Sequence, residues 1–98
     1  MILTITRNDG AVYLDGSVYP NLNLSFVPSN VHALQWRDTY GWIEYSEDSD
    51  GNKQQNDKIT VLPDWANTAI EVWNTANTTT YSTNLAANTY YNPYNTNK

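Results

Sequence analysis

VHALQWRDTYGWIEY, residues 31–45, reads as a β-hairpin, and the rest of the chain can be arranged around it. Between Val31 and Arg37 the side chains alternate, with Val31, Ala33 and Gln35 on one face and His32, Leu34 and Trp36 on the other. Trp42 to Tyr45 mirrors that run. The residues between, Asp38, Thr39, Tyr40 and Gly41, have the length of a hairpin loop with glycine at a left-handed position.

Upstream, the run from Ile2 to Arg7 sets Leu3 and Ile5 against Thr4 and Thr6, and Ala11 to Leu14 follows after Asp9-Gly10. Asp15-Gly16 then precedes a short extended piece, Ser17 to Tyr19. Asp-Gly pairs supply the positive φ that tight turns need, so these two pairs, with Asp50-Gly51, predict a meander of hairpins. Pro20 and Pro28 bracket NLNLSFV, a loop whose Leu22, Leu24 and Phe26 can line a core. Downstream of the hairpin, SEDSDGNKQQND is a loop by composition, and Lys58 to Leu62 returns as a final strand before Pro63.

Pro63-Asp64 is a helix-start signal, because an Asp there offers an acceptor to free amides and a negative charge to the positive helix end. The predicted helix covers about Trp65 to Thr75. Trp65, Ala69, Val72, Trp73 and Ala76 recur at spacings of three and four, a stripe that suits packing on a sheet. From Asn74 onward the chain is dominated by Asn, Thr and Tyr, with no charge before Lys98. That composition predicts an extended polar arm. The expected architecture is mainly β (α+β): residues 1–75 form a compact antiparallel sheet of hairpins with one helix packed on it, and residues 76–98 form the arm.

Ninety-eight residues suffice for one domain, and a domain of that size buries only about two-thirds of its unfolded surface. Four Trp and eight Tyr compensate, since a chain with one Phe and one Met needs aromatic bulk for its core. Net charge −5 with five scattered basic residues argues against nucleic acid as a partner. No cysteine is present, so disulfides and thiolate metal sites are excluded. The N-terminus lacks the basic and apolar regions of a secretory signal, and no run has the length of a membrane span. A chain made in the cytoplasm, starting at or near Met1 and without a membrane partner, is the expectation.

His32 is the sole histidine, and its place in an apolar strand pattern marks it as structural, with no nucleophile or second ligand to pair with. Phosphate-loop, HExxH and GxSxG patterns are all missing. No catalytic residue and no cofactor are expected. The loop from Ser46 to Asp57 places Ser46, Asp48, Asp50 and Gly51 at calcium-loop spacing. Ser stands where the first Asp is wanted, Asp where the bidentate Glu is wanted, and strands flank it, so the loop reads as solvated and not as a metal site. Trp and Tyr beside Asn are also the chemistry of sugar stacking, although three of the four Trp fall on faces turned inward. Asn23 and Asn77 fit the glycosylation pattern but lack a secretory context. In the arm, Tyr81, Tyr90, Tyr91 and Tyr94 are the natural anchors for a partner.

AVYLDGSVYPNLNLS, VPSNVHALQW, GWIEYSEDSDGN and ITVLPDWA with a following Trp, together spanning roughly Met1 to Trp73, resemble a group of small virion or tail-associated proteins of tailed phages, notably those of marine cyanobacteria. In that group the segment looks like a shared N-terminal module carrying variable extensions. The resemblance implies a non-catalytic virion accessory protein, decorating a capsid or joining tail or fibre parts, whose partners are other virion proteins and further copies of itself. Two other functions stay open: an assembly chaperone missing from the finished particle, and a glycan-binding receptor module. The short Asn/Thr/Tyr extension departs from the longer helical extensions of the group, which weakens transfer of the chaperone role.

Overall fold

The computed structural model describes the backbone of residues 1–91 and the side chains of residues 1–79. Six strands and one helix follow in order: β1 (Ile2–Thr6), β2 (Ala11–Leu14), β3 (Ser17–Tyr19), β4 (Val31–Arg37), β5 (Tyr40–Tyr45), β6 (Asp57–Ile59) and α1 (Asp64–Tyr91). All strand pairs are antiparallel, in the order β3-β2-β1-β4-β5-β6. The protein is α+β and mainly β, as its turn and strand pattern predicts. The meander is broken once. After β3 the chain crosses back through residues 20–30, so that β4 pairs with β1 and the N-terminal strand becomes central.

Alternation along β1 puts Leu3 and Ile5 on one face, both fully buried. Register extends that face sideways into two rows. One runs Ser17, Leu14, Leu3, Trp36, Gly41, Ile59, and the other runs Tyr19, Val12, Ile5, Leu34, Ile43, Asp57. This face is covered twice. The crossing segment lays Leu24 and Val27 onto it, and α1 adds Ala66 and Ala69, with Phe26, Trp65, Ile70 and Trp73 half-buried against the same cluster.

The β4–β5 hairpin is tighter than its sequence suggests, with a loop of Asp38 and Thr39 alone; Tyr40 and Gly41 already belong to β5. Asp38 takes the left-handed conformation, at φ 59°, and its N–H donates to the Met1 carbonyl at 2.8 Å. Gly41 serves a different need. A Cβ there would lie 2.1 Å from the Gln35 carbonyl oxygen and 2.9 Å from the Trp36 Cα, so the close strand approach requires its bare backbone. His32 also departs from expectation. An irregularity in pairing between Val31 and Ala33 turns its side chain out to solvent, away from Leu34 and Trp36. The last strand is shorter and starts earlier than Lys58–Leu62: Asp57 pairs with Ile43, and its carboxylate also accepts the Tyr45 hydroxyl.

α1 begins where Pro63-Asp64 predicts and Asp64 puts its charge in the first turn, but the acceptor for the Ala66 and Asn67 amides is the Pro63 carbonyl and not the Asp64 carboxylate. It does not end near Thr75. The described backbone is helical to Tyr91, which replaces the extended arm over residues 76–91, while residues 92–98 lie outside the description. Loss of apolar periodicity marks where packing stops, not where hydrogen bonding stops. Between Asp64 and Asn92 there is no Gly or Pro, and Asn or Thr costs a helix at most about 0.7 kcal/mol per residue relative to Ala. Pro93 is the first strong breaker, and it disfavours helical backbone at Asn92. Twenty-eight residues make a rod of about 42 Å, longer than the sheet is wide, which accounts for extents of 56 × 30 × 18 Å.

Candidate docking face

Among the described residues, no helix or loop packs on the side chains that alternate away from the core. Their central row, read across five strand pairings, is Val18, Tyr13, Thr4, Gln35, Trp42, Lys58. Flanking it are Ala11, Thr6, Ala33 and Glu44 on one side, and Ile2, Arg37 and Tyr40 on the other. Val18 is 55% exposed, Tyr40 43% and Tyr13 36%. Val18 with Tyr13 on one side, and Tyr40 near Trp42 on the other, are therefore held in water with Thr4 and Gln35 between the two groups.

Polar contacts hold the face in one arrangement. The Thr4 hydroxyl donates to Gln35 Oε1 at 2.8 Å, tying the two middle strands together. Trp42 Nε1 donates to Glu44 Oε2 at 2.8 Å, which satisfies the indole, and Trp42 pairs with Gln35 across the strands. Thr4, Thr6, Ala11, Tyr13 and Val18 line a shallow, mostly apolar depression of about 380 Å³. The charged side chains of the paired strands on this face are Arg37, Lys58 and Glu44, so it carries two of the five basic and one of the ten acidic groups.

At the edge of the sheet, the body is tied to α1 through Tyr19 and Trp73, whose rings meet edge to face with centroids 5.5 Å apart. Trp73 Nε1 donates to the Ser17 carbonyl at 3.1 Å, and the Tyr19 hydroxyl donates to Asn77 Oδ1 at 2.7 Å. Asn77 is the last residue with a described bond to the sheet. A second shallow groove, lined by Leu22, Thr68, Glu71, Val72, Thr75 and Ala76, runs beside the helix at this end.

Of the four tyrosines expected to anchor a partner, Tyr81, Tyr90 and Tyr91 belong to the part of α1 beyond Asn77, and Tyr94 lies outside the described residues. The docking face was missed in the sequence, although alternation had already sorted it: Thr4, Thr6, Tyr13 and Gln35 are the partners of the core residues on each strand. The calcium-like loop uses its groups otherwise. Asp48 Oδ1 accepts the Asp50 and Asn52 amides at 2.9 Å each, and Asp57 accepts the Tyr45 hydroxyl at 2.5 Å. That bond, together with burial, holds the Tyr45 phenol above its ordinary value. Among the described residues no three acidic, His or Cys groups converge as metal ligands, and no helix is long and apolar enough to cross a membrane.

Fold and face define a small α+β module with one sheet surface covered and the other uncovered among the described residues. No family model, curated protein or solved structure matches the chain.

Proposed function

We propose that this protein is a non-catalytic assembly module, a structural accessory component of a tailed-phage particle that docks on neighbouring virion proteins in the capsid or the tail. One observation carries the reading: the sheet exposes Val18, Tyr13 and Tyr40, with a half-buried Trp42, on the face that no described residue covers. The resemblance of residues 1–73 to virion-associated phage proteins supplies the setting. α1 is the second docking element. A helix whose far half carries no charge and no apolar stripe gains little from solvent alone, and stability for it comes from a neighbour.

Mass spectrometry of density-purified particles from the source tests this, with the copy number compared with the major capsid and tail proteins. A stoichiometric signal supports a structural component. Abundance in the infected-cell lysate with absence from particles moves the reading to an assembly chaperone. The aromatic, hydrogen-bonding character of the face favours one further reading, a glycan-binding module, which requires saturable sugar binding that Tyr13→Ala removes.

A further inference from the structure

We propose that Arg7 and the crossing segment form a binding site for a carboxylate, on the side of the sheet away from the open face and independent of it. Arg7 directly follows β1, and alternation from Leu3 and Ile5 turns its side chain toward the covered face. There it meets the crossing segment: Arg7, Asn8, Leu22, Asn23, Leu24 and Ser25 line one open cavity of about 300 Å³. Hydrogen bonds fix both walls. The Arg7 amide donates to the His32 carbonyl at 3.1 Å, the Gly10 amide to the Arg7 carbonyl at 3.2 Å, and the Leu22 amide to the Gly10 carbonyl at 2.8 Å. On the far wall, Asn23 Oδ1 accepts the Ser25 amide at 3.1 Å.

Folding withdraws Arg7 from water without giving it a counter-charge. Among the described residues the other basic groups, Arg37, Lys53 and Lys58, are exposed, whereas Arg7 is half-buried and its Nε is shut off from solvent. That Nε–H has no acceptor among the described residues, and no carboxylate of theirs lies within ion-pair distance of Arg7. The one described bond of the guanidinium, from Nη1 to Oδ1 of exposed Asn8, is long at 3.3 Å. A buried charged donor left unmet weakens the fold, and a planar oxyanion that accepts from Nε and Nη together removes that penalty. The long bond to Asn8 is the only polar restraint described on the turn of the guanidinium that brings Nε to the cavity. Charge selects carboxylate over phosphate. One positive group among neutral Asn and Ser side chains matches a monoanion, and a chain of net charge −5 repels a dianion more strongly.

Nuclear magnetic resonance of the Arg7 Nε–H in the full chain, titrated with sodium acetate against sodium chloride at matched ionic strength, tests the site. The expected result is a saturable downfield shift with acetate in the millimolar range, none with chloride, and weaker binding of inorganic phosphate. Arg7→Lys keeps the charge and loses the planar fork, so acetate, followed there on the Asn23 and Ser25 amides, should bind about tenfold or more weakly. A short peptide with one Glu between neutral residues locates the source of the carboxylate. Tighter binding than acetate assigns the site to an acidic side chain of a neighbouring protein, and equal or weaker binding assigns it to a free small acid. A shift that does not saturate, one that chloride reproduces, or phosphate binding tighter than acetate overturns the proposal. So does undiminished acetate binding in Arg7→Lys; should that variant lose the fold, the anion series on the native chain still decides.

Discussion

The two faces of the sheet carry different chemistry on the same strands. Across the covered face the central row reads Tyr19, Val12, Ile5, Leu34, Ile43, Asp57; across the open face it reads Val18, Tyr13, Thr4, Gln35, Trp42, Lys58. The first row is aliphatic at its centre and roofed by α1 and the crossing segment. The second is polar at its centre, aromatic on either side and left uncovered by the described residues. One face therefore supplies stability and the other supplies contact, and a substitution should report which face it sits on. Trp36 gives the largest signal. It is 6% exposed in the middle of the covered face, so Trp36→Ala should cost about 3–5 kcal/mol in chemical denaturation. A loss below 1 kcal/mol would show that this face is not the core.

Gly41→Ala comes next, because the added methyl meets backbone and not a movable side chain. Overpacking of this kind costs about 1–3 kcal/mol, and here the strands themselves must separate. Backbone amide exchange in β4 and β5 is the sharper readout: it should accelerate there and stay unchanged in β2 and β3. Uniform acceleration would mean that the hairpin is not the seat of the strain.

These two positions also show what was legible beforehand. Alternation in VHALQWR and in ILTIT placed Trp36, Leu34, Leu3 and Ile5 correctly, because a period of two is a local property that tertiary context cannot shift without a bulge. At His32 such a bulge intervenes, and no local signal announces it. Gly41 looked like a turn residue because glycine serves both turns and close approaches, and only the register distinguishes them. The crossing that makes β1 central was hidden for a similar reason: strand order is set by which face the NLNLSFV segment covers, a long-range choice. In α1, Ala66 and Ile70 packed where Val72 and Ala76 were expected, a rotation of the stripe that leaves Trp73 on the sheet side. The docking face was present as the complement of the core pattern, but exposure of Val18 and Tyr13 depends on nothing else folding over them.

Smaller effects sharpen the contrast. Thr4→Val keeps shape and removes the donor to Gln35, so it should cost about 1 kcal/mol, less than any covered-face truncation. Tyr45 adds a pH signature to the covered side. Its phenol is held above its ordinary value of 10.0 by the bond to Asp57 and by burial, so the folded state binds this proton more tightly than the unfolded state. That contribution is fully present below pH 10.0 and is lost as pH climbs through the raised value. Denaturation midpoints followed into the alkaline range should fall for the native protein, and Tyr45→Phe should flatten the part of that fall due to this group. An identical alkaline slope in both proteins would remove Tyr45 from the explanation.

The smallest effect makes the cleanest comparison, since valine occurs on both faces on neighbouring strands. Val12 is fully buried and Val18 is 55% exposed. Truncating Val12 to alanine removes two methyl groups from the core and should cost about 2 kcal/mol, from lost transfer energy and the cavity left behind. Val18→Ala removes the same atoms from solvent and should stay within about 0.5 kcal/mol in dilute protein. If a docking partner covers Val18, its truncation is silent in the free protein and destabilising once the partner is bound, because association adds stability only where the partner is bound. A cost for Val18→Ala equal to that for Val12→Ala in dilute protein would mean that the chain itself covers the open face, and the distinction between the two faces would fail.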